Sequence, residues 1–294
     1  MNKSFTLIEI LVVIVVIGIL SAFVLVGMSS ITSSANIAKS KAFSNSLRNS
    51  LLMNLISEWR LDGDTNDYWG VNHGTWNGGS PSWRTSSECV SEGCLAFDGV
   101  DDYISIGSIP NIDFSESFTI GSWVNLNEFG DSRSSCGNKR ANIVRIGSNP
   151  SGVVEFGTIT SNRFWVTIRT TINWIELNTV GQTNQWTYMV FINNNFSKTL
   201  KLFINGKETN QGSYNELISN TGIINIGGTT PNCSYGYING LIDDVSIYSK
   251  AISSAQIQEK YYSGLNKMFK NNTMVLEEYI KRTGELRNSL ANND

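Results

Sequence analysis

Charge is scarce in this chain: of its 294 residues only 16% are Asp, Glu, Lys or Arg, and the net charge is -3. That balance implies neither a nucleic-acid surface nor a polybasic patch for anionic lipid. Histidine is represented by His73 alone, and no Cys-x-x-Cys pair occurs, so zinc is not expected. His73 beside Asn72, or Ser117 next to Glu116, makes no catalytic constellation, and no enzyme is expected. Proline is absent before Pro81, which leaves the N-terminal stretch free to form one long helix.

What is present begins with an apolar run from Phe5 to Met28. As a helix it would be about 35 Å long, enough to cross a hydrocarbon core of roughly 30 Å. It is no ordinary secretory signal, because the basic leader is only Met1-Asn2-Lys3-Ser4 and no small-x-small cleavage site follows Met28. One ionised side chain, Glu9, interrupts the run. A carboxylate there costs roughly 2.5–3.5 kcal/mol on insertion scales, so it calls for a partner.

The series Lys3-Ser4-Phe5-Thr6-Leu7-Ile8-Glu9 resembles the leader of the type IV pilin and pseudopilin family. The resemblance implies cleavage by a prepilin peptidase between Ser4 and Phe5 and methylation of the Phe5 amine. It also implies that Glu9 pairs with the terminal amine of a neighbouring subunit during assembly. Ser4 stands where the family normally has Gly. The implied partners are other pilin subunits and, before assembly, the cytoplasmic membrane, with the C-terminal domain outside it and a cell-surface filament as the destination.

After Met28 a helical period continues through Ile31, Ala35, Ala38 and Ala42, then Phe43, Leu47, Leu51 and Leu55, so the helix is expected to reach about Leu55. From Glu58 the pattern changes to short alternating runs separated by turn residues. Phe118, Ile120, Val124 and Leu126 fall on one face, as do Trp186, Tyr188, Val190 and Ile192, which describes half-buried strands. Leu200, Leu202 and Ile204 alternate before Asn205-Gly206, a hairpin signal. Further strands are expected over Gly222–Gly227 and Leu241–Tyr248. About a dozen strands at this spacing indicate an antiparallel sandwich.

The ordered series Trp59-Arg60-Leu61-Asp62-Gly63, Asn72-His73-Gly74-Thr75, Leu95 through Ile104 (LAFDGVDDYI), Phe203-Ile204-Asn205-Gly206-Lys207 and Gly240 through Tyr248 (GLIDDVSIY) is similar to a laminin-G-like, concanavalin-A-like jelly roll. The expected fold is mainly β with one long N-terminal α-helix, an antiparallel jelly-roll sandwich and a short C-terminal helix capped by Ser253. The expected segments are a leader (1–4), a transmembrane or filament-core helix (5–28), an amphipathic extension (29–56), the jelly roll (57–262) and a helical tail (263–294). Leu265, Met268, Phe269, Leu276, Tyr279, Ile280, Leu286 and Leu290 give the tail an approximate stripe, interrupted by Gly284. It either packs on the rest of the chain or frays.

An even cysteine count in an exported chain favours disulfides, with Cys89–Cys94 and Cys136–Cys233 the preferred pairs; other pairings or free thiols stay open. The jelly-roll resemblance implies a structural calcium held by Asp67, Asn72 and Asp243 with Asp62, hard oxygen ligands suited to that ion. Local turn capping is the alternative for those side chains. Among the tryptophans, Trp59, Trp123 and Trp186 read as core, whereas Trp69, Trp76, Trp83 and Trp174 have polar neighbours and are the ligand candidates. Related hydrolases carry Glu-x-Asp-x-x-Glu on one strand, and this sequence lacks it. The functional expectation is a type IV pilin-like filament subunit that displays a laminin-G-like domain for surface, glycan or protein recognition. The alternatives are a pseudopilin of a type II-like secretion system and a static membrane-anchored lectin-like protein.

Overall fold

The computed structural model describes residues 7–110, 112–132, 139–147, 154–216, 222–228 and 236–291, with the side chains of residues 9, 10, 13, 18–37 and 289–291 outside the described set. The chain divides into two compact units between Asn49 and Ser50.

The first unit is built on the helix α1, Leu7–Leu52, whose last residues belong to the second unit. Among the described residues no helix is long and apolar enough to cross a membrane. Much of the apolar run lies on side chains outside that set, so the expected span is not tested there. Phe43, on the polar half, is 61% exposed. The helix stops at Leu52, short of Leu55, because the Asn54 N–H donates to the Leu51 carbonyl in a turn and Asn54 Nδ2 donates to the Ser50 carbonyl. Leu55 then starts the first strand.

Strands β1 (Leu55–Trp59), β2 (Thr75–Asn77), β3 (Ser82–Thr85), β4 (Gly93–Asp98), β5 (Tyr103–Gly107), β6 (Phe118–Leu126), β7 (Arg140–Ile146) and β8 (Val154–Ile159) come first. They are followed by β9 (Arg163–Arg169), β10 (Trp174–Val180), β11 (Thr187–Asn194), β12 (Thr199–Ile204), β13 (Lys207–Ser213), β14 (Ile224–Ile226) and β15 (Asn239–Tyr248). All pair antiparallel in two sheets. Sheet A runs β13-β12-β11-β6-β15-β4-β3, with β1 also on β15, and sheet B runs β10-β9-β8-β7-β14-β5-β2. The last strand therefore sits inside sheet A beside early ones, which ties the two ends of the sandwich sequence together. The hairpin β12–β13 turns on Asn205 (φ 53°) and Gly206 (φ 80°), the left-handed pair that the Asn-Gly signal requires.

Alternation sends Phe118, Ile120, Val124, Phe156, Val166, Phe191 and their neighbours into one core between the sheets. A second core lies on the outer face of sheet A. Trp123, Tyr188, Val190 and Ile192 point there, against α2 (Ser254–Lys270) and α3 (Leu276–Ala291). Strands β6 and β11 are consequently buried on both faces rather than half buried, since helices cover the side that the alternating pattern leaves to solvent.

The tail therefore packs. Helix α2 begins with Ser253 as N-cap, in a capping box with Gln256, and runs through the boundary expected at 262 because the stripe Ile257, Tyr261, Leu265, Met268 continues across it. Burying four such side chains is worth on the order of 6–12 kcal/mol before the entropy of ordering them.

Candidate functional site

Three kinds of site were expected, and the structure treats them differently. Ser4 and Phe5 lie outside the described residues, and so does the Glu9 side chain, although the backbone there is helical. Cys136 and Cys233 are also outside the described set. Cys89 and Cys94 are disulfide-bonded and fully buried. Their loop is tied to β15 by Asp243, whose carboxylate accepts from the Val90 N–H at 2.9 Å, the Ser91 N–H at 3.0 Å and the Ser91 hydroxyl at 2.9 Å. Burial pushes the Asp243 carboxyl up, and Asp244 beside it adds to the rise.

Asp67 is held in a cradle of donors. Its Oδ1 accepts from the N–H groups of Glu58, Trp69 and Gly70, and its Oδ2 from that of Asn72. Burial raises this carboxyl, but the four N–H groups outweigh burial and hold it below the usual carboxylate range. Asn72 donates to the Ser57 hydroxyl and accepts at its carbonyl from Trp59 Nε1. Asp62 accepts from the Gly93 N–H at 2.6 Å and from the Ser91 hydroxyl at 3.2 Å.

The three aspartates expected to hold calcium thus point oxygens at protein donors, the Asn72 side chain donates to Ser57, and Asp62, Asp67 and Asp243 do not converge within shared-ligand distance among the described residues. Their shown work is turn capping and loop tethering. The carboxylates that do converge are Asp98, Asp101 and Asp102, with oxygens within 4.8 Å of one another. Even these are engaged locally, Asp98 capping the Val100 N–H and Asp102 capping the Asp98 N–H.

The tryptophans sort by strand parity. Trp59, Trp123 and Trp186 are buried as expected. Trp76 and Trp83 pack against the inter-sheet core, Trp76 lying 5.6 Å from Phe97 with its Nε1 donating to the Gly79 carbonyl, so Trp76 is not a free platform. Trp69 is 49% exposed in the loop after β1. Trp174 is 43% exposed on the outer face of sheet B, with the Arg169 guanidinium 5.5 Å over its ring.

That outer face is the most chemically loaded surface of the sandwich. Registration places Ser105, Asn225, Arg145, Glu155, Thr167 and Glu176 in one row across neighbouring strands. Glu155 joins two guanidiniums, with Arg140 Nη1 at 2.6 Å and Arg145 Nε at 3.4 Å. Arg140 also lies 4.4 Å over the Trp165 ring and 3.9 Å from Glu176. Next to it opens a cleft of about 460 Å³ lined by Thr160, Ser161, Arg163, Trp165, Glu176 and Asn178. Arg163 Nη1 donates to Asn178 Oδ1 at 2.9 Å. Across the strands of sheet B, Trp165 Nε1, Arg140 Nε, Asn142 Oδ1 and both amide atoms of Asn225 are buried without a hydrogen-bond partner among the described residues. Buried polar atoms of this kind are rare in folded proteins. The sequence reading passed over the cleft. Its trace was the alternation in RFWVTIR and WIELN, where every second residue is polar or aromatic and the residues between, Phe164, Val166, Ile168, Ile175 and Leu177, pack on the inter-sheet core.

Comparison with known proteins agrees with both halves of the chain. The model of the concanavalin A-like lectin/glucanases superfamily matches residues 98–258, and that of the prokaryotic N-terminal methylation motif matches residues 1–25. No curated protein sequence matches. Among solved structures, domain 4 of AbnA, a GH43 extracellular arabinanase from Geobacillus stearothermophilus, in complex with arabinotriose, superposes with a TM-score of 0.56 at 16% identity, covering 70% of this chain and 97% of that one. The binding domain of botulinum neurotoxin serotype G superposes with a TM-score of 0.56 at 16% identity, over 72% of this chain and 51% of its own. The serotype D binding domain gives 0.55 at 16%, over 74% and 53%. The chain thus spans about half the length of the neurotoxin domains. At these identities the likeness establishes the fold.

Proposed function

The chain belongs to the concanavalin A-like lectin/glucanases superfamily and opens with a prokaryotic N-terminal methylation motif, and from that pairing we propose that it is a type IV pilin-like filament subunit whose sandwich recognises glycans outside the cell. The observation that carries the reading is the methylation motif at residues 1–25, joined through α1 to a sandwich with a polar, aromatic cleft on one outer face.

In this reading the apolar helix holds the precursor in the cytoplasmic membrane until the peptidase cuts before Phe5. The freed, methylated Phe5 amine then meets Glu9 of the adjacent subunit. Each of the two charges would be costly alone in an apolar bundle, so their pairing fixes the stagger between subunits. The glycan reading is supported by the neighbour that carries arabinotriose, and by a cleft that combines hydrogen-bonding groups with aromatic surface. We read the cleft as binding rather than hydrolysing. One carboxylate, Glu176, lines it, and Glu155 is engaged by two arginines, whereas glycoside cleavage takes two carboxylates facing the scissile bond.

The test is mass spectrometry of the mature N-terminus together with isolation of surface fibres. An N-methylated Phe5 on a chain recovered in fibres is expected, and Glu9→Val should leave the protein in the membrane and deplete it from the fibres. A mature chain that still begins at Met1 and never enters a fibre would refute the filament reading. An abundant processed chain found only in short assemblies of a secretion apparatus would transfer it to a pseudopilin.

A further inference from the structure

We infer that the cleft on the outer face of sheet B takes an acidic oligosaccharide of about three units, recognised by a carboxylate on Arg163 and by stacking on Trp174. The inference rests on the glycan reading above and specifies its ligand.

The first support is a local surplus of positive charge. Around the cleft stand Arg140, Arg145, Arg163 and Arg169 against Glu155 and Glu176, on a chain whose net charge is -3. Arg140 and Arg145 are neutralised by the glutamates. Arg163 is bonded to neutral Asn178 and Arg169 lies over an indole, and among the described residues neither has a carboxylate within ion-pairing distance. A guanidinium beside an open cleft, with its fork only partly used, presents the geometry that a carboxylate fills with two parallel hydrogen bonds.

The second support is the polar lining, in which Thr160 and Ser161 add hydroxyls beside Arg163, Glu176 and Asn178 on the walls of the cleft. Glu176 and Asn178 supply acceptors for hydroxyl groups, so a polyol that also bears a carboxylate matches the lining better than a simple inorganic anion.

Strand geometry sets the length. Trp174 and Asn178 lie on the same face of β10, four residues apart, and β9 sets Arg169 opposite Trp174 and Trp165 opposite Asn178. At about 3.3 Å per residue the exposed indole is about 13 Å from the Arg163–Asn178 pair, the reach of roughly three linked sugars.

The full-length chain in detergent micelles, applied to an immobilised panel of neutral and carboxylate-bearing oligosaccharides, tests this. Binding is expected on uronate-containing trimers, at least tenfold tighter than on their carboxyl-reduced counterparts and weakening with salt. Arg163→Met, with its melting temperature checked against wild type, should remove that preference by roughly tenfold to a hundredfold, and Arg163→Lys should restore part of it. Trp174→Ala should weaken acidic and reduced trimers alike. Equal binding of the acidic and reduced trimers overturns the charge inference and leaves glycan recognition standing. Silence across the whole panel overturns both.

Discussion

Replacing Gly264 by alanine should destabilise the sandwich, although alanine is the better helix former. Gly264 sits in the buried face of α2, directly over Trp123. A methyl group there would lie 2.6 Å from Trp123 Cε2 and 2.9 Å from Nε1, inside contact distance. The indole has nowhere to retreat, because it is held between Tyr188, at 5.1 Å, and Tyr261, stacked on it at 5.5 Å and 23°. Forcing a methylene-sized group into a packed site costs about 1–3 kcal/mol. The helix gains about 1 kcal/mol from losing a glycine. The net effect should be a loss of up to about 2 kcal/mol, or up to roughly 8 °C in Tm for a unit of this size. The same change at Gly284 in α3, where a methyl group meets nothing within 4 Å, should give the opposite sign, a gain of up to about 1 kcal/mol. Thermal unfolding followed by near-ultraviolet circular dichroism measures both. If Gly264→Ala proves as stable as wild type, α2 does not press on Trp123 and the second core is wrongly drawn.

Acid should unfold the domain through two carboxylates. Burial would raise Glu58, but Lys260 and Arg60 outweigh it and hold it low, as the N–H cradle does Asp67. Depressed carboxyls contribute stability that is present above the ordinary carboxylate range and disappears as pH falls through their lower folded values. Urea midpoints measured from pH 6 downward should fall, with a shallower decline in Asp67→Asn; identical slopes would contradict this. Removing both Cys89 and Cys94 by alanine substitution should cost about 2 kcal/mol, as closing so short a loop implies, read as a urea midpoint shift. Chelation should leave Tm within about 1 °C of its starting value, because Asp67, Asp62 and Asp243 already accept from protein donors and do not converge on one point among the described residues. A fall that Asp67→Asn abolishes would support the expected calcium site, and one that Asp101→Asn abolishes would place a calcium at the group around Asp98.

Much of this fold could be read from the sequence because its signals are local. Alternation of Phe118, Ile120 and Val124 marks a strand wherever it ends up, and Asn205-Gly206 turns a hairpin whatever lies beside it. Ser253 with Gln256 likewise starts a helix by itself. What could not be read depends on partners distant in sequence. Nothing in Trp186 through Ile192 says that α2 and α3 will cover them. The Asp67 carboxylate looks the same in sequence whether it faces a metal or four N–H groups. The cleft was missed for the same reason: Arg140, Trp165 and Glu176 come from three strands, and only the register of sheet B brings them together.

The helices that hide the outer face of sheet A also direct where recognition can occur. Trp123 and Tyr188 pack under α2 against its Tyr261, so these three rings are already used. On the outer face of sheet B the described residues form no such apolar cover. The face keeps an arginine–glutamate row, an exposed indole at Trp174 and donors without acceptors. A sandwich that had evolved only as a spacer would gain nothing from burying the Arg145–Glu155 pair in that sheet, because apolar residues at those positions would be at least as stable. The ligand proposed above for sheet B would account for this asymmetry between the two outer faces. Substitutions that neutralise Arg163 should then cost binding while leaving Tm unchanged, whereas those under α2 should cost Tm.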